Sequence, residues 1–443
     1  MSSPVLSGAS PRGPLAAVHL PGLALTASVL LALLLQWVIA ALYADLIGPL
    51  FTGARAPHSA GAEVPISYLC TAATTTATAW YCDRRSGPSR VVLVLHLIAV
   101  IIPMQALVVA QFEFARPAFA DAVALAFLGT VLLAGATPEL TMKQPGTLAR
   151  GGVIVLCLLL SLYVYGALVA QGGIGRLNFD LSKVYEVRDE FLEGLAPLLG
   201  YLVPWQGLVI NPALMLAAMK RRSLLLGLLA LLLQLLLFGM TGYRAFILMP
   251  GLLLGMYLIG GRRNLAGLAL LGVLFLIAVA VGLYLWLDAP YIPALLVGRV
   301  IIIPAEIHYW YYDYFGSSGH APLQLSQSIL TDIAARHYDA PIAEVIGWKY
   351  MGSAAWANVG LFADAFANFG YAGCTLFALL FALVLKTLDA ASRATDARVA
   401  AALIAVQAFQ LVNAGLLTTL LTHGLALAIL ILWAFPMPAR NTS

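Results

Sequence analysis

Residues 288–315 read DAPYIPALLVGRVIIIPAEIHYWYYDYF, and residues 358–371 read NVGLFADAFANFGY. The stretch from 288 to 371 lies in a chain that otherwise consists mostly of long apolar runs, and polar side chains gather in it. They include Arg299, Glu306, His308, Asp313, His320, Asp332, Arg336, His337, Asp339, Glu344, Lys349, Asn358, Asp364 and Asn368. We therefore expect any chemistry that the protein performs to take place in this stretch.

The composition indicates a membrane protein. Of the 443 residues, 62% are hydrophobic and 10% are charged, whereas a soluble domain has about 25% charged residues. Runs of about 20 apolar residues can cross a bilayer as helices. Such runs fall at 22–48, 66–82, 91–112, 117–136, 151–170, 195–218, 223–239, 245–260, 264–287, 361–386, 399–413 and 416–434. We predict an all-α polytopic membrane protein of about 12 transmembrane helices (11 to 13), with residues 1–443 in a single integral membrane domain.

The distribution of charge predicts how the helices are oriented. Short cytoplasmic loops retain lysine and arginine. With the N-terminus inside, the inner loops carry most of the 24 basic residues but few of the 20 acidic ones, namely Asp83, Glu139, Asp389 and Asp396. Both termini are then cytoplasmic. Two longer loops, 171–194 and 288–358, lie on the outer face, and we expect short interfacial helices in the second.

Several classes of function are excluded by what the sequence lacks. The inner loops are too short for a nucleotide-binding domain, and there is neither a GxxxxGK[ST] loop nor a GxGxxG turn between a strand and a helix. No His, Cys, Asp or Glu residues have the spacing of a metal site. The net charge of +4 belongs to short loops beside membrane helices and does not indicate binding to nucleic acid. We expect no metal and no other cofactor.

The segment 299–315 has two interpretations. If it is helical, Arg299, Glu306 and Asp313 recur every seven residues and fall on nearly one face. The aromatic residues after Pro304 suit a membrane interface. The segment is either an interfacial helix with a solvated charged edge, or a platform on which sugar rings stack beside a charged pocket.

Two arginines beside the outer loops have side chains suited to phosphate. Arg188 lies in the loop before the run at 195–218, and Arg244 ends the sequence TGYR between two apolar runs. A guanidinium group binds phosphate through two parallel hydrogen bonds. The alternatives are a solvated charged loop for Arg188, and for Arg244 a side chain that reaches from the membrane to the interface.

The segment 358–373 carries a carboxylate inside an apolar run. Asp364 and Asn368 are four residues apart and share one face of a helix. A carboxylate within a membrane helix is a functional candidate. Close approach of the backbone is allowed by three glycines, Gly360, Gly370 and Gly373. His423, farther along the chain, is either an interhelical hydrogen-bonding group or a contact to substrate.

Several segments, in order, resemble one family. They are VYEVR at 184–188, PW at 204–205 with NP at 211–212 and KRR at 220–222, TGYR at 241–244, the segment 299–315, Asn358 with DAFANFG at 364–370, and the segment 418–424. Over about residues 170–430 their order and spacing are similar to those of the Wzy-type oligosaccharide repeat-unit polymerases, the O-antigen polymerases of bacteria. Two positions depart from the family pattern, because Arg244 stands where lysine is common and Phe366 where tyrosine is common.

The resemblance implies an activity, a location and a set of partners. Such an enzyme polymerises undecaprenyl-diphosphate-linked oligosaccharide repeat units of O-antigen, capsule or exopolysaccharide. It works at the periplasmic face of the bacterial inner membrane, with undecaprenyl diphosphate as the leaving group. Its partners are these lipid-linked oligosaccharides, membrane lipid, a chain-length regulator and a flippase.

The residues of this chain can be assigned roles in that chemistry. Fixed cations stabilise a leaving diphosphate, and an attacking sugar hydroxyl needs a general base. The candidates for the base are Asp313, Glu306, His308 and Asp364. The expected substrate-binding residues are Arg188, Arg244, Arg299, Tyr185, Tyr311, Tyr312, Asn358, Asn368 and His423.

Two other functions are compatible with the same sequence. An O-antigen ligase-type transferase, which moves a finished glycan to another acceptor, needs the same arginines and the same base. A non-enzymatic transporter of polysaccharide or lipid-linked glycan is the other alternative. A transporter is expected to have polar residues near the bilayer midplane and two related halves, and the sequence shows neither.

Overall fold

Helices account for all the regular structure in the part of the chain that the computed structural model describes, which is residues 21–51, 61, 63–180, 183–193, 195–328, 338–353 and 355–438. The helices are α1 (Gly22–Ile47), α2 (Glu63–Arg84), α3 (Ser89–Val109), α4 (Pro117–Ala136), α5 (Thr147–Ala170), α6 (Val184–Leu192), α7 (Pro197–Arg221), α8 (Leu224–Thr241), α9 (Arg244–Ile259), α10 (Leu265–Leu287), α11 (Tyr291–Ser317), α12 (Ile342–Ile346), α13 (Leu361–Ser392), α14 (Ala397–Asn413), α15 (Leu416–Leu421) and α16 (Leu425–Ala434).

Many of these helices are suited to a membrane. Within the described ranges, nine are long and apolar enough to cross one: α1, α3, α4, α5, α7, α8, α10, α11 and α13. Three shorter helices, α9, α14 and α16, are also apolar. The prediction of an all-α polytopic membrane protein is confirmed to this extent, and the number of 12 spans stays a prediction.

The connections between helices lie at two ends of the bundle, and they alternate except at α11, which begins and ends at the same end. At the end that we call the short-loop end, the connections after α2, α4, α7, α9 and α13 meet. Ser89 donates a 2.7 Å hydrogen bond to Asp389 there, and Lys220 pairs with Asp396 at 3.0 Å. The described residues of the segments 171–196 and 318–360 lie at the other end, the long-loop end. The basic connections of the sequence therefore come together at one end.

A buried arginine ties this short-loop end together. The Arg90 side chain is 2% exposed. It donates hydrogen bonds to five carbonyl oxygens, those of Cys82, Ser86, Gly87, Gly260 and Arg262. The last carbonyl groups of a helix have no partner within that helix. One guanidinium group thus satisfies carbonyl groups at the ends of both α2 and α9.

The NP pair at 211–212 has a structural explanation. Asn211 accepts a hydrogen bond from Gln206 at 2.7 Å, and donates to Gln234 at 2.9 Å and to Tyr165 at 3.1 Å. Gln234 in turn donates to the carbonyl group of Phe246 at 2.9 Å. These side chains satisfy one another where Pro212 interrupts the hydrogen bonding of α7, and they join α5, α7, α8 and α9.

The segment 288–358 differs from the expectation of a loop with short interfacial helices. Residues Tyr291–Ser317 form one helix of 27 residues, α11. It packs against α1, α3, α4 and α13. Tyr309 donates a 2.8 Å hydrogen bond to the carbonyl group of Met104, and the ring of Tyr312 stacks on Phe119 with centroids 4.6 Å apart. The aromatic residues therefore draw the segment into the bundle.

Helix α13 is broken near its start. Phe369 (φ −145°, ψ 19°) and Gly370 (φ 60°, ψ −150°) leave helical geometry, and only glycine adopts the Gly370 conformation readily. The thiol of Cys374 lies 3.5 Å from the carbonyl oxygen of Phe362, although 12 residues of straight helix span about 18 Å. Residues 361–368 therefore fold back against the rest of α13.

The predicted close approach of the backbone is confirmed at Gly360 and Gly373 but not at Gly370, where an added Cβ would meet nothing within 4 Å. A Cβ on Gly373 would collide with the carbonyl oxygen of Ala365, and a Cβ on Gly360 would collide with that of Val412. The first contact closes the break within α13. The second brings the start of α13 against the end of α14.

We expect Gly373→Ala to destabilise the fold, because the added methyl group forces the two halves of α13 apart. Overpacking of this kind costs about 1–3 kcal/mol. Gly129→Ala in α4 is the matched control, since a Cβ there meets nothing within 4 Å, and alanine favours a helix. Thermal unfolding of the purified protein in detergent measures both. Equal stability of the two variants would contradict the packing described for α13.

Candidate functional site

Arg188 and Arg244, predicted from separate parts of the sequence, lie close together at the long-loop end. Helix α6 packs onto the turn between α8 and α9, where Gly242 (φ +67°) allows the contact: a Cβ there would lie 3.0 Å from the backbone nitrogen of Arg188. The guanidinium group of Arg188 lies 5.8 Å from the ring centroid of Tyr243. Arg244 is the next residue, and its side chain is exposed.

A third arginine, Arg176, joins them and was missed by the sequence reasoning. Its guanidinium group lies 6.0 Å from the ring centroid of Phe191, and that ring lies 6.0 Å from the ring of Tyr243. The only available signal was its position in the same outer loop as Arg188. We call Arg176, Arg188 and Arg244 the arginine cluster.

Part of the hydrogen-bonding capacity of the arginine cluster is unused. Nη1 of Arg176 donates to the carbonyl group of Gln171 at 3.0 Å, whereas Nε and Nη2 are buried without a hydrogen-bonding partner in the described part of the chain. No described carboxylate forms an ion pair with Arg176 or Arg188. Burial raises the pKa of Tyr243, although the charge of Arg188 opposes this, so its phenol is neutral. The cluster is suited to an anion.

Arg299 does not share the face of α11 on which Glu306 and Asp313 lie, contrary to the seven-residue spacing of all three. The helix widens over Ala294–Ile302, and the i to i+5 hydrogen bonding of a wide turn changes the angle between successive residues, whereas Ile303–Tyr312 is ordinary α-helix. Arg299 is exposed, Glu306 is 5% exposed and Asp313 is partly exposed. No described contact joins Arg299 to the arginine cluster.

Two of the four candidate bases lie in the core. Glu306 is hydrogen-bonded to Tyr43 of α1. Nδ1 of His308 lies 2.6 Å from the carbonyl oxygen of Pro304, and its Nε2 is buried with no partner in the described structure. Neither side chain is accessible from the long-loop end, so the structure favours the other two candidates.

Asp313, the third candidate base, is partly exposed. Its carboxylate accepts a 2.8 Å hydrogen bond from Tyr350 and lies 3.9 Å from Nη2 of Arg116. Burial and this hydrogen bond raise the pKa of Tyr350. The ammonium group of Lys349 lies 5.2 Å from the centroid of the Tyr350 ring. Asp313 is therefore already engaged by a phenol and a nearby cation.

The aromatic run of α11 is mostly core rather than a surface platform for sugars. Tyr309, Trp310, Tyr311 and Tyr314 are buried, and Tyr311 donates to the carbonyl group of Ala357 at 3.0 Å. Tyr312 is partly exposed. Its hydroxyl lies 3.4 Å from that of Tyr371, a side chain that is 46% exposed. Tyr312 is therefore the part of the predicted platform that a sugar ring can reach, and Tyr371 lies beside it.

Asp364 lies beside the break in α13 and faces the turn between α14 and α15. A Cβ on Gly415 would collide with the Asp364 carboxylate, so the glycine makes room for it. The Asp364 side chain is partly exposed, and no described cation forms an ion pair with it. Asp364 therefore remains available as a base.

The amide of Asn368 supports this arrangement. Its nitrogen donates to the carbonyl group of Asp364 at 2.8 Å, and its oxygen accepts from the backbone nitrogen of Leu325 at 2.7 Å. Next to it, the backbone nitrogen of Leu323 donates to the carbonyl group of Ala367 at 2.9 Å. Asn368, predicted to bind substrate, is thus occupied in fastening the segment 323–325 to the broken helix.

The other predicted site residues are dispersed. Asn358 is exposed in an irregular segment. His423 is partly buried in the turn between α15 and α16, where Nε1 of Trp205 donates to the carbonyl group of Leu421. The side chain of Tyr185 lies outside the described residues, as do all of Asp332, Arg336 and His337.

Helix α7 connects the arginine cluster to the region around the break in α13. Gly207 leaves room for the ring of Phe246, which lies 5.4 Å from the ring of Tyr243. Farther round α7, Gly424 sits against the side chain of Trp205. Contacts therefore run from the cluster through α7 to the segment 414–424, which also borders Asp364.

We expect Asn368→Ala to destabilise the protein by about 1–3 kcal/mol, the cost of leaving buried hydrogen-bonding groups without partners. Asn358→Ala provides the matched control, because that amide is exposed. It should change the unfolding temperature little. Unchanged stability of Asn368→Ala would contradict this account of the amide and would instead favour the predicted contact with substrate.

The site offers no set of metal ligands in the described ranges: no three His, Cys, Asp or Glu side chains come together to hold an ion. No protein-family model, no curated protein and no solved structure matches the chain. A function must therefore be argued from the chain's own residues.

Proposed function

We propose that the protein is a membrane glycosyltransferase that polymerises undecaprenyl-diphosphate-linked oligosaccharide repeat units, as the family resemblance implies. The observation that carries the proposal is the arginine cluster. The guanidinium groups of Arg176 and Arg188 lie over the rings of Phe191 and Tyr243 at the long-loop end, and neither has a described carboxylate partner. Arg244 follows Tyr243 in the chain. The polymer is O-antigen, capsule or exopolysaccharide.

The arginine cluster suits a diphosphate joined to a lipid. Guanidinium groups bind phosphate oxygens through paired hydrogen bonds, and Arg176 has two buried donor atoms to offer. As the glycosidic bond breaks, negative charge grows on the diphosphate. Cations that are already in place stabilise that charge more than they stabilise the bound substrate.

We assign the general base to Asp364. The hydroxyl oxygen of the acceptor sugar attacks the anomeric carbon of the donor, the bond from that carbon to the diphosphate oxygen breaks, and Asp364 takes the hydroxyl proton. Asp313 is the weaker candidate because Tyr350 and Arg116 already engage it. Tyr312 and Tyr371 provide aromatic faces for a sugar ring near the break in α13.

The proposal includes an orientation. The short-loop end, which gathers the basic connections, faces the cytoplasm. The long-loop end then faces the periplasm, both termini are cytoplasmic, and the membrane is the bacterial inner membrane. A flippase delivers the lipid-linked units to the long-loop end, and a chain-length regulator limits their polymerisation.

The test of the arginine cluster uses the source bacterium with this gene deleted and restored by plasmid-borne variants. We expect deletion to shorten the glycan ladder on a gel to single units. Arg176→Ala and Arg188→Ala should each lower the amount of polymer by about a hundredfold, the typical loss on removing one group that stabilises developing charge. Arg188→Lys should recover part of the loss, because it restores the charge but not the two-pronged geometry.

Arg221→Ala is the matched control, since Arg221 is an exposed arginine at the short-loop end. It should support a normal ladder. The level of each variant in the membrane is measured by immunoblotting. A normal ladder in the deletion strain would overturn the polymerase function, whereas a normal ladder in both cluster variants would overturn only the assignment of the cluster.

A second set of variants tests the base. We expect Asp364→Asn to lower polymer by at least about a hundredfold, in line with the loss of a general base. Asp313→Asn should have a smaller effect, and Glu306→Gln should leave a ladder because that side chain lies in the core. Loss of polymer in Asp313→Asn with a normal ladder in Asp364→Asn would move the base to Asp313.

One observation favours a transporter as the second candidate. Membrane transporters use interrupted helices to build binding sites, and here the break in α13 lies against the turn between α14 and α15. A transporter would leave lipid-linked units on the cytoplasmic leaflet when deleted, whereas a polymerase would leave single units on the periplasmic side. A ligase-type transferase would leave full-length polymer on undecaprenyl diphosphate.

A further inference from the structure

A cavity at the short-loop end lies far along the bundle from the arginine cluster and has no part in the proposed reaction. Its volume is about 150 Å³. It opens among the ends of α2, α4 and α13. Its charged lining consists of Arg85, Lys386, Arg393, Glu139 and Asp389.

One of the two carboxylates in this cavity is already committed. Asp389 accepts hydrogen bonds from the backbone nitrogen of Ser89 at 3.1 Å, from the hydroxyl of Ser89 at 2.7 Å and from Tyr81 at 3.1 Å. It caps the N-terminus of α3, where unpaired N–H groups favour a negative charge. Its charge is therefore compensated by the fold.

Two of the three cations share the other carboxylate. Glu139 is 57% exposed at the mouth of the cavity and forms ion pairs with both Arg85 and Arg393. Lys386 donates to the hydroxyl of Thr137 and forms no ion pair with a described carboxylate. The cavity therefore has an excess of positive charge, with one ammonium group available.

An apolar surface leads up to these cations. Leu379, Leu383 and Lys386 follow one another at helical spacing on α13, and the two leucines are 51% and 53% exposed. On the neighbouring α4, Leu132 and Leu133 are 46% and 37% exposed. A chain lying along these leucines would reach the cavity with its polar end.

We propose that this cavity binds the phosphate group of an anionic phospholipid, with its acyl chains along α4 and α13. Basic pockets between membrane helices bind anionic headgroups in this way. About 10–15 Å³ of such space holds one water molecule, so the cavity has room for a phosphate group. Lys386 and Arg393 contact the phosphate, and Arg85 stays paired with Glu139.

The test uses the full-length protein purified in detergent and stripped of lipid. Phosphatidylglycerol, phosphatidylcholine or inorganic phosphate is added, and native mass spectrometry counts the bound lipid while thermal unfolding records stability. We expect phosphatidylglycerol alone to bind at one site and to raise the unfolding temperature. Lys386→Gln and Arg393→Gln should each weaken its binding about fivefold, which corresponds to about 1 kcal/mol for each basic residue.

Two comparisons keep this test decisive. Arg221→Gln removes an exposed cation from the same end without touching the cavity and should bind phosphatidylglycerol as the wild type does. Lys386→Arg keeps the charge and should therefore retain binding of phosphatidylglycerol. It provides a second comparison if Lys386→Gln proves unstable. Equal binding of phosphatidylcholine, an equal stabilisation by inorganic phosphate, or undiminished binding in both glutamine variants would each overturn the proposal. None of these results bears on the polymerase function.

Discussion

Hydrogen bonding of the backbone in apolar surroundings constrains the rest of this structure. Within a bilayer no water can satisfy an N–H or carbonyl group, so an interrupted helix needs other partners. The break at Gly370 has such partners nearby. The Asn368 amide binds backbone groups on two segments, and the main chain of Leu323 closes onto Ala367. The position of Asp364 follows from the way this break is closed.

The same constraint accounts for the side chains that join the helices elsewhere. Asn211 and Gln234 satisfy each other where Pro212 interrupts α7, and Asp389 supplies acceptors to the first turn of α3. Each of these polar residues lies in or beside an apolar run, and each links helices that are distant in sequence. Polar groups in this protein are thus of two kinds. Some complete the hydrogen bonding of the fold, and others, such as Arg176 in the arginine cluster, have donor atoms without a described partner.

The sequence was sufficient to predict the class of fold. It was insufficient to predict the structure of the segment 288–358. Hydropathy identified the apolar helices because burial in a bilayer depends on local composition. It misjudged α11, since Glu306 and His308 lower the local hydropathy while their partner groups lie elsewhere. Glu306 is satisfied by Tyr43, more than 260 residues away in the chain. For the same reason Arg188 and Arg244 were predicted as separate residues rather than as neighbours, and Arg176 was missed. These arginines become a group only when α6 folds onto the turn at Gly242.

The Arg90 contacts have a consequence for motion. One guanidinium group satisfies carbonyl groups at the ends of two helices, so α2 and α9 cannot separate there without exposing several polar groups at once. We therefore expect the short-loop end to stay closed between these two helices. If α2 and α9 move apart, they should spread at the opposite end, with their far ends travelling farthest.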